Sequence, residues 1–253
     1  SSAASDVYKR QSLYSWRGRV GVIVPPTNTV NEIEWNKMSP TGVSIHATRM
    51  PLHSNPTSSQ EEKLLYRDIE KAIKLLSPAN LNVIAYGCTA GSMVLPIEKL
   101  SDFMKKTSSC ACVTTAASIV AAIEVLGVNK IALATPYDDI LNNHEKLFLE
   151  KCGISVQNIR GLGIGSGGAH EYTQIAKVPP KQIYEHIISA DSRDADALVI
   201  SCTDFPVLGV IDQLEAELDK PVITSNQATF WAALRAANID YSFDSYGVLL
   251  REY

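Results

Sequence analysis

Three things are scarce in these 253 residues, and each scarcity closes off a class of function. Basic clusters are missing: no run of Lys or Arg exceeds a dipeptide, and 23 basic against 27 acidic residues leave a formal charge of −4. Neutralising a phosphate backbone takes a concentrated basic face, so nucleic acid is not an expected partner. Long apolar runs are missing too. None approaches the roughly 20 residues that cross a bilayer, and the first residues lack a signal-type apolar stretch, so no membrane association and a cytoplasmic location are expected. Cysteine is sparse and poorly spaced for a metal or a disulfide framework. There are five, an odd number, and no C-x-x-C pair is matched by a second. Cys110 and Cys112 are one residue apart, which suits neither a zinc knuckle nor a redox pair. Reduced thiols and no metal site are therefore expected.

What remains is an ordinary globular composition, 45% apolar and 20% charged, enough for one large core or two modest ones. Residues 1–15 mix small and polar types without periodicity and are expected to be a disordered tail. Beyond them, short β-branched runs alternate with helical patterns, the sign of βα units building parallel sheets. Strands are expected over Arg19–Pro26, Gly42–Pro51 and Leu81–Gly87, and helices over Ser58–Ala79 and Leu95–Thr107. The segment 111–128 passes from strand to helix and stops at Gly127.

The pattern then restarts. A strand at Asn129–Asp139 echoes the first, a helix at Asn142–Gly153 and a strand at Ser155–Ile164 follow, and a helix opens at Pro179. The strand Ala195–Cys202 echoes the one before Cys88, and 220–239 echoes 111–128. The spacings agree: Pro25 to Cys88 is 63 residues and Pro136 to Cys202 is 66. A repeat of about 110 residues is too long for a solenoid. The expected fold is therefore α/β, two lobes with parallel sheets related by a pseudo-twofold. Lobe 1 takes residues 16–128 and about 226–253, and lobe 2 takes 129–225.

That organisation gives the repeated Cys-Thr of "AYGCTAGS" and "VISCTDFP" a meaning. Each cysteine follows a buried strand at the end where parallel sheets bind their ligands. Free Cys is commonly core packing, and Cys110, Cys112 and Cys152 are read that way. Cys88 and Cys202 differ, because small neighbours leave room for a ligand and the amides that follow can receive a carboxylate. Two facing lobes would set the two thiols on opposite walls of one cleft. A thiol near its usual pKa of about 8.5 is a weak nucleophile at neutral pH, so it needs donors that favour the thiolate. "TAGS" after Cys88 supplies them, whereas Asp204 after Cys202 opposes a thiolate. Cys88 is thus expected to ionise more readily and Cys202 to keep the proton.

Taken in order and spacing from Val20 to Leu250, "VPPTNT", "YGCTAGS", "LATPY", "SCTDF" and "PVITSNQATFWAALR" resemble the aspartate/glutamate racemase superfamily. The likeness is to its branch holding maleate cis-trans isomerases, arylmalonate decarboxylases and racemase-like proteins of ectoine utilisation. The resemblance implies two Rossmann-like lobes with the active site between them, no metal or organic cofactor, and a homodimer or higher homo-oligomer. It also implies a small carboxylate substrate. Decarboxylases of the branch keep only the second cysteine; racemases and maleate isomerases keep both, as here. By the same resemblance Cys88 is the nucleophile and Cys202 its acid/base partner. Asn28 and Tyr137 bind substrate, with Pro26, Thr89 and Thr203 beside them. One departure stands out: the segment 163–178 holds no Asn, and Tyr172 takes the place of a second substrate-binding asparagine.

Other candidates are weaker. His46, His53 and His144 read as structural or surface residues. The string Gly161–His170 opens no clear helix, so a dinucleotide site is not expected and a mobile loop over the cleft is. Thr115, Ser225 and Asn226 are candidates for a carboxylate-binding shell or for ordinary helix caps. Phe230 and Trp231 read as packing. The expected function is a cofactor-independent isomerase, most like a maleate cis-trans isomerase. Amino-acid racemase (Asp/Glu-type or ectoine-pathway), arylmalonate-type decarboxylase and non-catalytic ligand-binding protein are the alternatives.

Overall fold

The computed structural model describes residues 12–53 and 58–253. The expected tail therefore falls outside the described residues up to position 11; within residues 12–15, the Ser15 and Ser44 hydroxyls hydrogen-bond at 2.7 Å. Two four-stranded parallel sheets make the frame. The first has the order β2-β1-β3-β4, formed by β1 (Gly18–Val24), β2 (Val43–Arg49), β3 (Val83–Tyr86) and β4 (Ala111–Thr114). The second repeats it as β6-β5-β7-β8, with β5 (Lys130–Tyr137), β6 (Ser155–Ile164), β7 (Ala197–Ile200) and β8 (Val222–Thr224). The identical order is the structural form of the sequence repeat. The central strands β1, β3, β5 and β7 are almost wholly buried, and so their sequences are continuous apolar runs instead of alternating ones.

Helices cover the sheets. The helix α2 (Ser59–Leu76) starts at a capping box in which the Ser58 hydroxyl accepts from Glu61 N–H and the Glu61 carboxylate accepts from Ser58 N–H. Leu65, Ile69, Ile73 and Leu76 form its buried stripe. The helix α3 (Lys99–Ser108) begins four residues later than the sequence suggests. In the second half, α5 (Asp139–Lys151) begins earlier than expected, because Asp138 accepts from Leu141 N–H and caps it; α6 (Pro180–Ala190) follows.

Three helices are additional to the sequence expectation: α1 (Asn31–Met38), α7 (Ile211–Leu218) and the terminal α9 (Val248–Glu252). The case of α1 has a clear cause. Its buried face carries Asn31 and Glu34 beside Trp35 and Met38, so burial and hydrophobicity do not coincide along it.

Two helices cross between the sheets. The helix α4 (Thr115–Val125) leaves β4 and also touches β8, while α8 (Ser225–Ala236) leaves β8 and packs against α4, β3 and β4. Both are apolar or buried nearly all round, which suits a shared core better than a surface. Phe230 of α8 packs against Trp35 of α1 at a tilt of 54°, centroids 5.3 Å apart. Among the described residues, no helix is long and apolar enough to cross a membrane.

Candidate active site

The backbone delivers the two cysteines by the same device. Past the end of β3, Gly87 N–H still donates to Ile23 of β1 at 2.8 Å; past the end of β7, Ser201 N–H donates to Ala134 of β5 at 2.9 Å. One residue later comes Cys88 in one half and Cys202 in the other. These are the positions beside the strand that comes first in the sequence of each sheet, where chain connections part to either side and ligands enter. Both thiols line one cavity between the lobes, with Asn28, Thr89, Tyr137 and Tyr172 among its other walls. Its volume of about 40 Å³ has room for roughly three or four water molecules, the bulk of a small acid and far less than a nucleotide.

The two sulfurs are held differently. Cys88 opens the 3-10 turn Ala90–Ser92, receives the Gly91 amide and the Tyr86 hydroxyl, and is 5% exposed. A Cβ on Gly91 would run into His53 carbonyl oxygen and Tyr86 Oη and stand 3.1 Å from the sulfur, so only glycine lets the chain wrap the thiol this closely. Cys202 sits at φ 106°, a conformation a side chain rarely adopts and one that costs about 1–3 kcal/mol. Its own N–H donates to Ser225 Oγ at 3.0 Å, while Asp204 N–H and the Tyr137 hydroxyl reach its sulfur.

Burial pushes the Cys88 thiol up, against the pull of the Gly91 amide and the Tyr86 hydroxyl. The expected lowering by the turn is thus outweighed, and the resting group is a thiol. Burial also raises Cys202, eased by Tyr137, and the Asp204 charge adds to the rise. Of the two, only Cys202 has a carboxylate working against its ionisation. Asp204 is pushed up to about 6 by burial; its Oδ1 accepts from Thr29 N–H at 2.7 Å.

Several residues expected in the site serve the joint between lobes. Asn28 Oδ1 accepts from Val30 and Asn31 N–H, and its Nδ2 donates to Thr203 Oγ1 at 3.0 Å, leaving one amide hydrogen for a ligand. The Thr203 hydroxyl in turn donates to Gly87 carbonyl oxygen, so Thr203 offers the cavity its backbone more than its side chain. Pro26 is exposed; Pro25 lines the cavity in its place, because the chain turns outward after β1. Ser225 bonds Thr89, Asn226 bonds Asn31, and Thr115 bonds the Tyr86 carbonyl and Thr229; none of the three lines the cavity.

The glycine-rich stretch, expected as a mobile loop over the cleft, begins inside β6. Residues up to Ile164 belong to β6, and Glu171 Oε2 accepts from Gly165 and Gly167 N–H, pinning the turn. Gly165, at φ 110°, makes room for the Tyr172 ring, which the following 3-10 helix Ala169–Lys177 carries to the cavity. His53 pairs with Asp68 at 3.1 Å, and His144, expected on a solvated helix face, has a buried Nε2 with no partner; no histidine lines the cavity. Among the described residues no group of three or more His, Cys, Asp or Glu is placed to hold a metal.

Two side chains go beyond what the sequence marks. Tyr86 reads as a strand residue in "AYGC", and one large aromatic ring in a run of small residues is its signal. Glu34 Oε1 accepts from Val207 and Leu208 N–H, both 2.9 Å, and its Oε2 accepts from Asn226 at 2.7 Å. Nothing in "NEIEWNKM" marks that glutamate as buried.

The family model described as arylmalonate decarboxylase matches residues 20–250. Maleate isomerase of Nocardia farcinica (strain IFM 10152) is 26% identical over 247 residues, 92% of this chain and 96% of that protein. Arylmalonate decarboxylase of Bordetella bronchiseptica is 29% identical over 136 residues, 53% of this chain and 55% of that protein. Among solved structures, a cysteine-to-alanine variant of the maleate isomerase Iso from Pseudomonas putida S16, with maleate, superposes with a TM-score of 0.78. It is 27% identical, and the match covers 92% of this chain and 97% of that one.

Proposed function

We propose, for a chain that belongs to the arylmalonate decarboxylase family, cofactor-independent isomerisation of a small carboxylate by two cysteines acting from opposite faces. Maleate isomerases that align over nearly their whole length make the chain an isomerase. Cis-trans isomerisation of a maleate-like diacid is the favoured reaction. The observation that carries the two-cysteine reading is the pair of thiols in one cavity, each bonded by a tyrosine hydroxyl, Tyr86 to Cys88 and Tyr137 to Cys202.

In this reading the Cys88 thiolate adds to one alkene carbon, and the other carbon takes the proton of Cys202. The carbon–carbon bond is then single and rotates. Cys202, now a thiolate, takes the proton back as the carbon–sulfur bond breaks, releasing the trans acid and restoring both groups. Among the described residues the cavity lining holds no Lys, Arg or His, and the donors it offers substrate carboxylates are neutral: the remaining Asn28 hydrogen, the tyrosines and backbone amides. A second reading, racemisation of an amino acid, draws on Asp204, a lining carboxylate that would suit an ammonium group.

The test is turnover of maleate and of L-aspartate in deuterated water, followed by NMR. Cys88→Ala and Cys202→Ala should each lose orders of magnitude, and the double variant little more. With maleate, Cys202→Ala should also leave an adduct on Cys88 that raises the protein mass by that of the acid. Full activity in either single variant would sink the two-thiol mechanism. Exchange of the aspartate α-proton without any maleate turnover would transfer the proposal to the racemase.

A further inference from the structure

Cys110 and Cys112 lie outside the catalytic cavity, and their spacing argues against joint chemistry. In a regular strand, residues two apart point the same way but stand nearly 7 Å apart along the chain. Here the strand is not regular at that point. The helix α3 ends at Ser109 in the left-handed conformation, φ 60°, and β4 begins only at Ala111, so Cys110 occupies a bend. The bend folds Ser108 back over both cysteines. Its hydroxyl lies 3.5 Å from Cys110 Sγ and 3.2 Å from Cys112 Sγ, and Cys110 N–H donates to it at 3.3 Å.

The two thiols are unequally placed. Cys112 is 3% exposed, whereas Cys110 is half-buried at the wall of a separate cavity of about 270 Å³, lined also by Ser77, Asn80 and Ser109. The Cys112 thiol beside it, with Ser108, favours the Cys110 thiolate and pulls that group down to about 6; Cys112 is raised correspondingly and keeps its proton. No other cysteine of the chain is lowered. One accessible, ionised thiol beside a protonated one is the arrangement of an attacking and a resolving cysteine.

We propose that Cys110 and Cys112 form a peroxide-reactive dithiol on the edge of the first sheet, a modification site separate from the catalytic pair. The Cys110 thiolate attacks hydrogen peroxide: a sulfur–oxygen bond forms, the oxygen–oxygen bond breaks and hydroxide leaves, giving a sulfenic acid. Cys112 then attacks that sulfur: the disulfide forms, the sulfur–oxygen bond breaks, and the departing hydroxide takes the Cys112 proton as water. Two electrons pass from the pair to one peroxide.

The intact protein tests this without any variant, because tryptic peptide Thr107–Lys130 contains both cysteines and no other. After peroxide and alkylation, that peptide should be two hydrogens lighter and carry no alkyl group. At pH 7, before peroxide, Cys110 should alkylate about five times faster than half-buried Cys152, the thiolate advantage being partly offset by its lower nucleophilicity. Cys112→Ser should then trap a sulfenic acid on Cys110 that dimedone labels. A peptide that stays reduced while Cys152 oxidises, or equal alkylation rates at Cys110 and Cys152, would overturn the proposal.

Discussion

The proposed chemistry rests on single donors aimed at single sulfurs. Tyr86 donates to Cys88, so Tyr86→Phe removes a bond made to the thiolate, raises the thiol further, and moves the rising limb of kcat/KM to higher pH. About tenfold should be lost at pH 8, and most of it recovered on the plateau once Cys88 is ionised, as a kcat/KM profile against pH would record. A uniform loss at every pH would make Tyr86 a packing residue only. Glu145 carries a second prediction. It is 1% exposed on α5, and burial lifts its carboxyl to about 7. A folded value above the unfolded one near 4.5 means that the folded chain holds the proton longer. The contribution of Glu145 to stability is therefore greatest below pH 4.5, falls as pH rises through 7, and is then lower by on the order of 3 kcal/mol. Glu145→Gln should flatten that fall, so its urea midpoint should exceed the wild-type one at pH 8 by more than at pH 5. Cys88 and Cys202 were legible in the sequence because the repeat set them in register. Glu145 was not, since a charged residue in "NNHEKL" reads as solvated until the sheet behind it is known.

At the scale of elements, α1 is the part whose role most exceeds its appearance. It is short and weakly amphipathic, yet it supplies Glu34 to the second lobe and Trp35 to the shared core. Glu34→Ala would strand two buried N–H groups and the Asn226 amide, at a cost of about 3 kcal/mol read from urea unfolding. The strands, by contrast, were readable because burial on both faces leaves unbroken β-branched runs. Where sequence and structure part, at the start of α5, a local side chain decides: Asp138 caps the helix.

The molecule as a whole is two similar sheets that cannot part without exposing a core. The helix α4 reaches β8 and α8 reaches β3 and β4, and the joint between lobes is lined with buried hydrogen bonds from Asn28, Glu34 and Thr89. Unfolding should therefore be one transition, with tryptophan fluorescence and far-ultraviolet circular dichroism coinciding along a urea titration. A chain ending at residue 128 lacks α8 and should expose β3 and β4, appearing as an aggregating or dye-binding species. Two separated transitions, or a well-folded soluble half, would show the lobes to be independent.

The sequence by itself determined the parallel sheets, the duplication and the pair of cysteines at matching strand ends. Each of these follows from local spacing, the run of a strand, the start of a helix and the distance between equivalents. Only the tertiary structure decided what the polar residues around that pair do. Asn28 gives its oxygen to the start of α1 and one amide hydrogen to Thr203 across the lobes, Thr203 reaches back to Gly87, Pro25 takes the place expected of Pro26, and Tyr86 turns from strand residue to partner of a thiol. The physical reason is that a buried polar group must find a partner, and the bonds that Thr203 makes with Asn28 and Gly87 span more than a hundred residues of chain, where no periodicity can point to them.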